Sequence, residues 1–229
     1  MRIAAALASA AVLGLAAPPS AARAAPARDW SKTVVATPEG GFRMGNPGAK
    51  VKLVEYGSLA CPHCRHFEET GYKPLVAKYV RTGRVSYEFR NLLLNAADIS
   101  ISLLAHCAGP AKFFPMSEVV FAAQPQWETK VANLSDSDKA AIEKMTDQQR
   151  IMRMADVAGF RPIAARFGLT PAQANRCLAD PKGLQRLLDV TQKAESSGVD
   201  HTPTFIINGK VTDAALWEDL EPQLRKAGA

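Results

Sequence analysis

LVEYGSLACPHCRHFEE, residues 53–69, places two cysteines, Cys61 and Cys64, two residues apart where an apolar run gives way to a polar one. The run VKLVEYGS (51–58) is rich in β-branched and aromatic residues and stops at Gly57-Ser58, which predicts a buried strand. Pro62 suits the first turn of a helix, where its missing N–H is not needed. The helix is predicted to run through HCRHFEETGYKPLVAKYV, with a kink from Gly71 and Pro74. Gly83 ends it, and RVSYEFRN (84–91) alternates Val85, Tyr87 and Phe89 with Ser86, Glu88 and Arg90, the period of a strand. Strand, helix and strand in this order predict a parallel crossover unit.

Outward from this unit the pattern changes. Residues 96 to about 197 read as almost wholly helical. ADISISLLAHCA ends at Gly109-Pro110, and apolar periodicity recurs in FPMSEVVFAA, DKAAIEKM and QQRIMRMADVAGF. Thr170-Pro171 and Asp180-Pro181 each read as an N-cap followed by proline in the first helical position. Met145, Met152 and Met154 are assigned to core packing rather than to a peptide-binding surface. After SSGVD, TPTFIING (202–209) reads as a strand entered through Thr-Pro. Asn208-Gly209 then marks a hairpin turn into KVT. DAALWEDLEPQLRKA is expected to be a terminal helix started by Asp213. Residues 25–50 are turn-rich, with room for a short strand pair. The sum is an α/β domain (25–95 and 199–229) interrupted by an all-helical domain (96–198).

The whole chain has 229 residues, a formal charge of +6 and 47% hydrophobic residues, an ordinary globular composition. Its cations are dispersed and no Lys/Arg run interleaves with aromatics, which argues against a nucleic-acid partner. MRIAAALASAAVLGLAAPPSAARA (1–24) has the parts of a secretory signal. Arg2 precedes an apolar stretch, Ile3 to Ala17, too short to span a bilayer, and Ala22-Arg23-Ala24 offers a cleavage site. Cleavage after Ala24 and a periplasmic location are expected, and there disulfides persist. Cys61, Cys64, Cys107 and Cys177 could pair in three ways; the spacing favours Cys61 with Cys64 and Cys107 with Cys177.

Three chemistries compete for the close pair. Cys61, His63, Cys64 and His66 are all zinc-ligand types, but a structural zinc site draws ligands from two segments and these four lie on little more than one helical turn. No metal is expected. A purely structural bond is also disfavoured, because so small a loop constrains the unfolded chain little. Redox chemistry uses the pattern best. A cysteine just before a helix faces unpaired N–H groups and the positive end of the helix dipole, which stabilise a thiolate, the species that attacks disulfides. Cys61 is then the exposed nucleophile and Cys64, one turn in, the buried resolving thiol. A protonated His63 would add positive charge near the Cys61 sulfur, and His66 reads as a surface histidine.

ACPHC after a strand, HTPTFIING far downstream and an export signal together resemble the DsbA family of periplasmic thiol–disulfide oxidoreductases, over roughly residues 45–225. The resemblance implies an α/β, thioredoxin-like fold with an inserted all-helical domain. It implies a redox-active Cys61–Cys64 disulfide faced by a cis Pro203, with the Thr202 backbone free to pair with a substrate peptide as an added strand. It also implies that Glu55 is a buried acid with a raised pKa, able to take the Cys64 proton. The activity implied is disulfide formation in reduced, unfolded exported proteins, without a dissociable cofactor, followed by re-oxidation by a membrane partner of the quinone-linked type.

Thiolate stabilisation sets direction, because it favours the reduced form and makes the oxidised form a stronger oxidant. Lowering a nucleophile's pKa from ~7, as in thioredoxin, to ~3.5, as in DsbA, is worth roughly 4.4 kcal/mol, on the order of 95 mV. Thr202 stands where some strong oxidants carry valine, which leaves the strength open. Cys107 and Cys177 are extra to the best-known members, and a structural disulfide is expected there. Two competing readings are a disulfide isomerase or reductase, and a peptide-holding chaperone or metal carrier. About 25 residues between the leader and the first core strand leave no room for the dimerisation segment of isomerases, so a monomer is expected.

Overall fold

The computed structural model describes residues 28–229. The leader expected over residues 1–24 lies outside the described residues. Six strands form one sheet: β1 (Val34–Ala36), β2 (Phe42–Gly45), β3 (Val51–Gly57), β4 (Val85–Asn91), β5 (Thr204–Ile207) and β6 (Lys210–Val211). Their order is β1-β2-β4-β3-β5-β6. β3 is central, with β4 parallel on one side and β5 antiparallel on the other. The parallel pair is the one the crossover demands. Asn208 and Gly209 both have positive φ, 50° and 83°, the backbone of a two-residue turn whose twist matches the strands it joins.

The crossover helix holds the first departure from expectation. It begins as α1 (Pro62–Phe67), widens into a π turn over Glu68–Tyr72, tightens as α2 (Lys73–Leu75), then widens again over Val76–Val80. Two wide turns thus stand on either side of Pro74, which has no N–H to give. Gly71 serves packing instead: a methyl there would lie 2.5 Å from Phe67 Cε2 and 3.0 Å from the Trp217 Cβ. Trp217 opens the last helix, α11 (Trp217–Lys226). That start corrects the expectation for Asp213, which caps nothing. Its carboxylate instead accepts from Gln223 Nε2 at 2.8 Å, and the chain reaches the helix only after a further irregular stretch.

Between β4 and β5 the chain runs through α3 (Ala96–Ala108), α4 (Pro110–Ala122), α5 (Gln124–Ala132), α6 (Asp136–Glu143), α7 (Asp147–Val157), α8 (Phe160–Arg166), α9 (Pro171–Leu178) and α10 (Pro181–Ser196). Thr170 and Asp180 cap α9 and α10 as their Pro-flanked positions predict. Asn95 caps α3 by accepting from the N–H groups of Ala97 and Asp98. The helices share one apolar core with the sheet. Tyr87 and Phe89 of β4 meet Phe114 and Phe113 of α4 at ring-centroid distances of 5.6 and 5.7 Å. On the other face of the sheet, Val190 and Ala194 of α10 cover Tyr56.

A disulfide joins Cys107 of α3 to Cys177 of α9, Cα atoms 6.0 Å apart and 70 residues apart in sequence. A cross-link of that span removes loop-closure entropy from the unfolded chain. Replacing both cysteines by alanine is expected to lower stability by about 4 kcal/mol. The urea midpoint reads the loss, and an unchanged midpoint would mean that the bond constrains nothing in the unfolded chain.

Candidate active site

Cys61 is the N-cap residue of α1, in extended conformation, with Pro62 in the first turn. Its side chain caps no N–H group in the manner of Ser or Asp. The backbone N–H groups of His63 and Cys64 instead favour the Cys61 thiolate. From across the fold comes the loop before β5, whose Thr202-Pro203 peptide is cis. The Cys61 thiol donates to the Thr202 carbonyl at 3.3 Å. This corrects one expectation: Cys61 is not exposed but only 5% accessible.

Both cysteines of the pair are free thiols here. The Cys61 thiol is pulled down to about 5, chiefly by the hydrogen bond from the Cys64 thiol. Burial opposes this, while the Thr202 side chain and the two helix N–H groups assist it. Thr202 thus acts in two senses: its carbonyl favours the thiol, its hydroxyl the thiolate. The His63 ring is exposed, and the His63 influence on the sulfur comes through its backbone N–H. His66 is exposed as expected.

Cys64 is fully enclosed and its thiol is pushed well up, first by burial, then by the hydrogen bond it gives Cys61 and by the Glu55 charge. The Ser58 N–H, 3.5 Å from the Cys64 sulfur, pulls the other way. Glu55 lies on the central strand and is 1% exposed. Burial lifts its carboxyl to about 8, against the pull of the Tyr87 hydroxyl, which donates to Oε2 at 2.6 Å. The site therefore pairs a sulfur that prefers to be ionised with a thiol and an acid that prefer to be neutral.

Sequence reasoning missed four contributors. Tyr87 was legible only as a strand core position. Its role follows from register: Leu53 stands opposite Tyr87 and Glu55 opposite Phe89, so the alternation places Glu55 and Tyr87 on one face. Asp98 bonds Ser58 and Leu59, and Gln124 bonds Leu59, just before the cysteines, and no local motif announces residues so far apart. Met154 is buried as expected, yet it also lines a cavity of about 410 Å³ beside Ala60, with Trp127, Glu128 and Val131. Among the described residues no three His, Cys, Asp or Glu side chains are placed to hold a metal ion. Among them, too, no helix is long and apolar enough to cross a membrane.

A family model described as Thioredoxin matches residues 37–226. The chain belongs to the thioredoxin family. A Rickettsia bellii protein named as a protein-disulfide oxidoreductase is 28% identical over 189 residues, covering 80% of this chain and 63% of that one. A Rickettsia typhi protein described the same way is 27% identical over 172 residues, covering 74% and 55%. The chain spans less than two thirds of the length of these relatives. Among solved structures, a protein-disulfide isomerase from Novosphingobium aromaticivorans superposes with a TM-score of 0.77 at 29% identity, over 82% of this chain and 98% of that chain. The alpha-DsbA1 of Wolbachia pipientis superposes with a TM-score of 0.65 at 22% identity, over 81% and 89%. The second likeness is one of fold: this thioredoxin-family chain carries the helical insertion of the DsbA type.

Glu55 gives the site a pH signature. Its folded pKa of about 8 exceeds the ~4.3 of an unfolded glutamate, so the folded state holds a proton that the unfolded state releases between the two. The stability this confers is complete below pH ~4.3 and is lost as pH rises through about 8. Glu55→Gln, neutral throughout, should match the parent at pH 4 and exceed it at pH 9 by on the order of 5 kcal/mol, read by urea unfolding. Equal stability at both pH values would show that Glu55 is not held neutral by burial.

Proposed function

We propose that this chain is an exported thiol–disulfide oxidoreductase of the DsbA type, acting as a monomer to form disulfides in other exported proteins. The observation that carries the reading is the Cys61 sulfur held at the α1 N-terminus against Thr202, with its thiolate favoured while that of Cys64 is disfavoured. The relatives named as protein-disulfide oxidoreductases and the leader-like residues 1–24 support it.

The geometry supports a two-step exchange. With Cys61–Cys64 oxidised, a substrate thiolate attacks the Cys61 sulfur. A bond forms to the substrate, the Cys61–Cys64 bond breaks, and the electron pair leaves on Cys64. The Cys64 thiolate is costly in its enclosed position and takes a proton, for which neutral Glu55 is the near source. A second substrate thiolate then attacks the substrate sulfur of the mixed disulfide, and Cys61 departs as the low-pKa leaving group. The substrate loses two electrons and the pair gains them. The Thr202 backbone aligns the substrate as an extended strand. A membrane partner of the quinone-linked type removes the two electrons and restores the disulfide.

A Cys61 pKa of about 5 sets the oxidising strength. Against a nucleophile of pKa ~7 the gain at neutral pH is roughly 2.3 kcal/mol, or ~50 mV. That falls short of the ~95 mV available to a pKa of ~3.5. The reading therefore places the pair above thioredoxin's ~−270 mV and short of the strongest oxidants. The Novosphingobium structure, named as an isomerase, favours a second reading, in which shuffling rather than forming disulfides is the main activity.

Equilibrating the protein with glutathione, followed by acid trapping, measures the potential directly. A value at or below thioredoxin's rules out the oxidase and leaves reductase or isomerase chemistry. Cys64→Ser should accumulate mixed disulfides between Cys61 and reduced client proteins, visible on non-reducing gels. A peptide-holding chaperone would bind the same clients without a covalent link.

A further inference from the structure

The turn between β3 and α1 is gripped from the helical insertion by two buried polar side chains that the exchange chemistry leaves idle. Asp98 stands in the first turn of α3, whose cap is already supplied by Asn95. One carboxylate oxygen of Asp98 accepts from the Ser58 hydroxyl at 2.6 Å and the Leu94 N–H at 3.1 Å. The other accepts from the Leu59 N–H at 3.2 Å and the Ser102 hydroxyl at 3.3 Å. Gln124, at the start of α5, donates from Nε2 to the Leu59 carbonyl at 3.2 Å and accepts from Arg65 Nε at 3.0 Å. Leu59 is thus held at both of its polar groups, and Arg65 ties the same glutamine to α1.

These bonds converge on the sulfurs. The Ser58 carbonyl accepts from the Cys61 N–H at 3.2 Å, and the Ser58 N–H reaches the Cys64 sulfur at 3.5 Å. The Ser58 hydroxyl, while donating to Asp98, accepts from the Ala60 N–H at 3.0 Å. We infer that Asp98 and Gln124 are positioning residues, which fix the Ser58–Leu59–Ala60 turn so that the Cys61 sulfur stays over the N-terminus of α1 and ionises readily. The inference rests on the oxidoreductase reading for its purpose, though not for its test.

Packing alone does not explain an acid at position 98. Both Asp98 and Gln124 are wholly buried, and a buried carboxylate is costly unless its acceptors are filled. Here all four donors are present. Each carboxylate oxygen faces one backbone N–H, an obligatory donor, so asparagine in either orientation sets its NH₂ against an N–H group. Burial lifts the Asp98 carboxyl to about 6, and the hydrogen bonds from Ser58, Leu94, Ser102 and Leu59 hold it from rising further, so it is ionised at neutral pH.

The test is a titration of the Cys61 thiolate by its ultraviolet absorbance in the reduced, full-length mature protein, with Ser58→Ala, Gln124→Leu and Asp98→Asn. Each variant should raise the Cys61 midpoint by about one pH unit, a roughly tenfold loss of thiolate in mildly acid solution. A fall in Tm with the midpoint unmoved would overturn the inference in favour of a purely structural role. A lower midpoint in Asp98→Asn with Ser58→Ala unchanged would also overturn it, because the carboxylate would then act on Cys61 by charge alone. Should Asp98→Asn fail to fold, Ser58→Ala and Gln124→Leu decide the matter, since neither removes a charge. No substrate enters the titration. A wild-type protein with a low midpoint that forms no disulfides would therefore sink the oxidoreductase reading and leave this inference standing.

Discussion

The placement of one sulfur at one helix end governs the rest of this molecule. α1 must start at Pro62, one residue past Cys61, for unpaired N–H groups to face that sulfur. β3 must end at Gly57 for the turn to have its three residues. β5 must pair with β3 for Thr202 to arrive at all. The central strand therefore carries the acid beneath the pair, delivers the turn before it and receives the strand whose leading loop meets it. Few positions in the sheet could shift without moving the sulfur.

Proton affinity at the site is divided by environment rather than by residue type. Cys61 and Cys64 are chemically identical, yet one is driven towards the thiolate and the other away from it. The difference is that the Cys64 thiol and two helix N–H groups favour the Cys61 thiolate, whereas burial and the hydrogen bond given to Cys61 disfavour the Cys64 thiolate. Glu55 and Tyr87 extend the neutral side of the arrangement into the core. The helical insertion closes the site from behind, and because it shares an apolar core with the sheet, its polar contacts to the turn are held by the packing of both.

Much of this was legible in the sequence because local patterns encode local structure. Alternation in RVSYEFRN, Pro62 after Cys61, Asn208-Gly209 and the Thr-Pro and Asp-Pro caps each act within a few residues, and the elements they predict are present. The failures share a cause. Cys61 is buried, and its thiol meets a carbonyl 141 positions away. Asp98 and Gln124 reach the turn from helices whose own sequence reports only helix. Asp213 looked like a cap because its type suits one, but tertiary contact with Gln223 placed it elsewhere. The wide turns on either side of Pro74 leave no mark in the apolar alternation.

The bond between Cys61 and Thr202 spans 141 positions of chain. Polypeptides are made from the N-terminus, so the CPHC segment exists long before residue 202 is joined. Until β5 docks beside β3, Cys61 lacks both groups of Thr202, and the Glu55 strand has an open edge. A partly folded chain thus lacks the Thr202 share of the pull on Cys61, while the Cys64 hydrogen bond and the helix N–H groups belong to its own segment. The environment of Cys61 is therefore complete only when the C-terminal strands have joined the sheet.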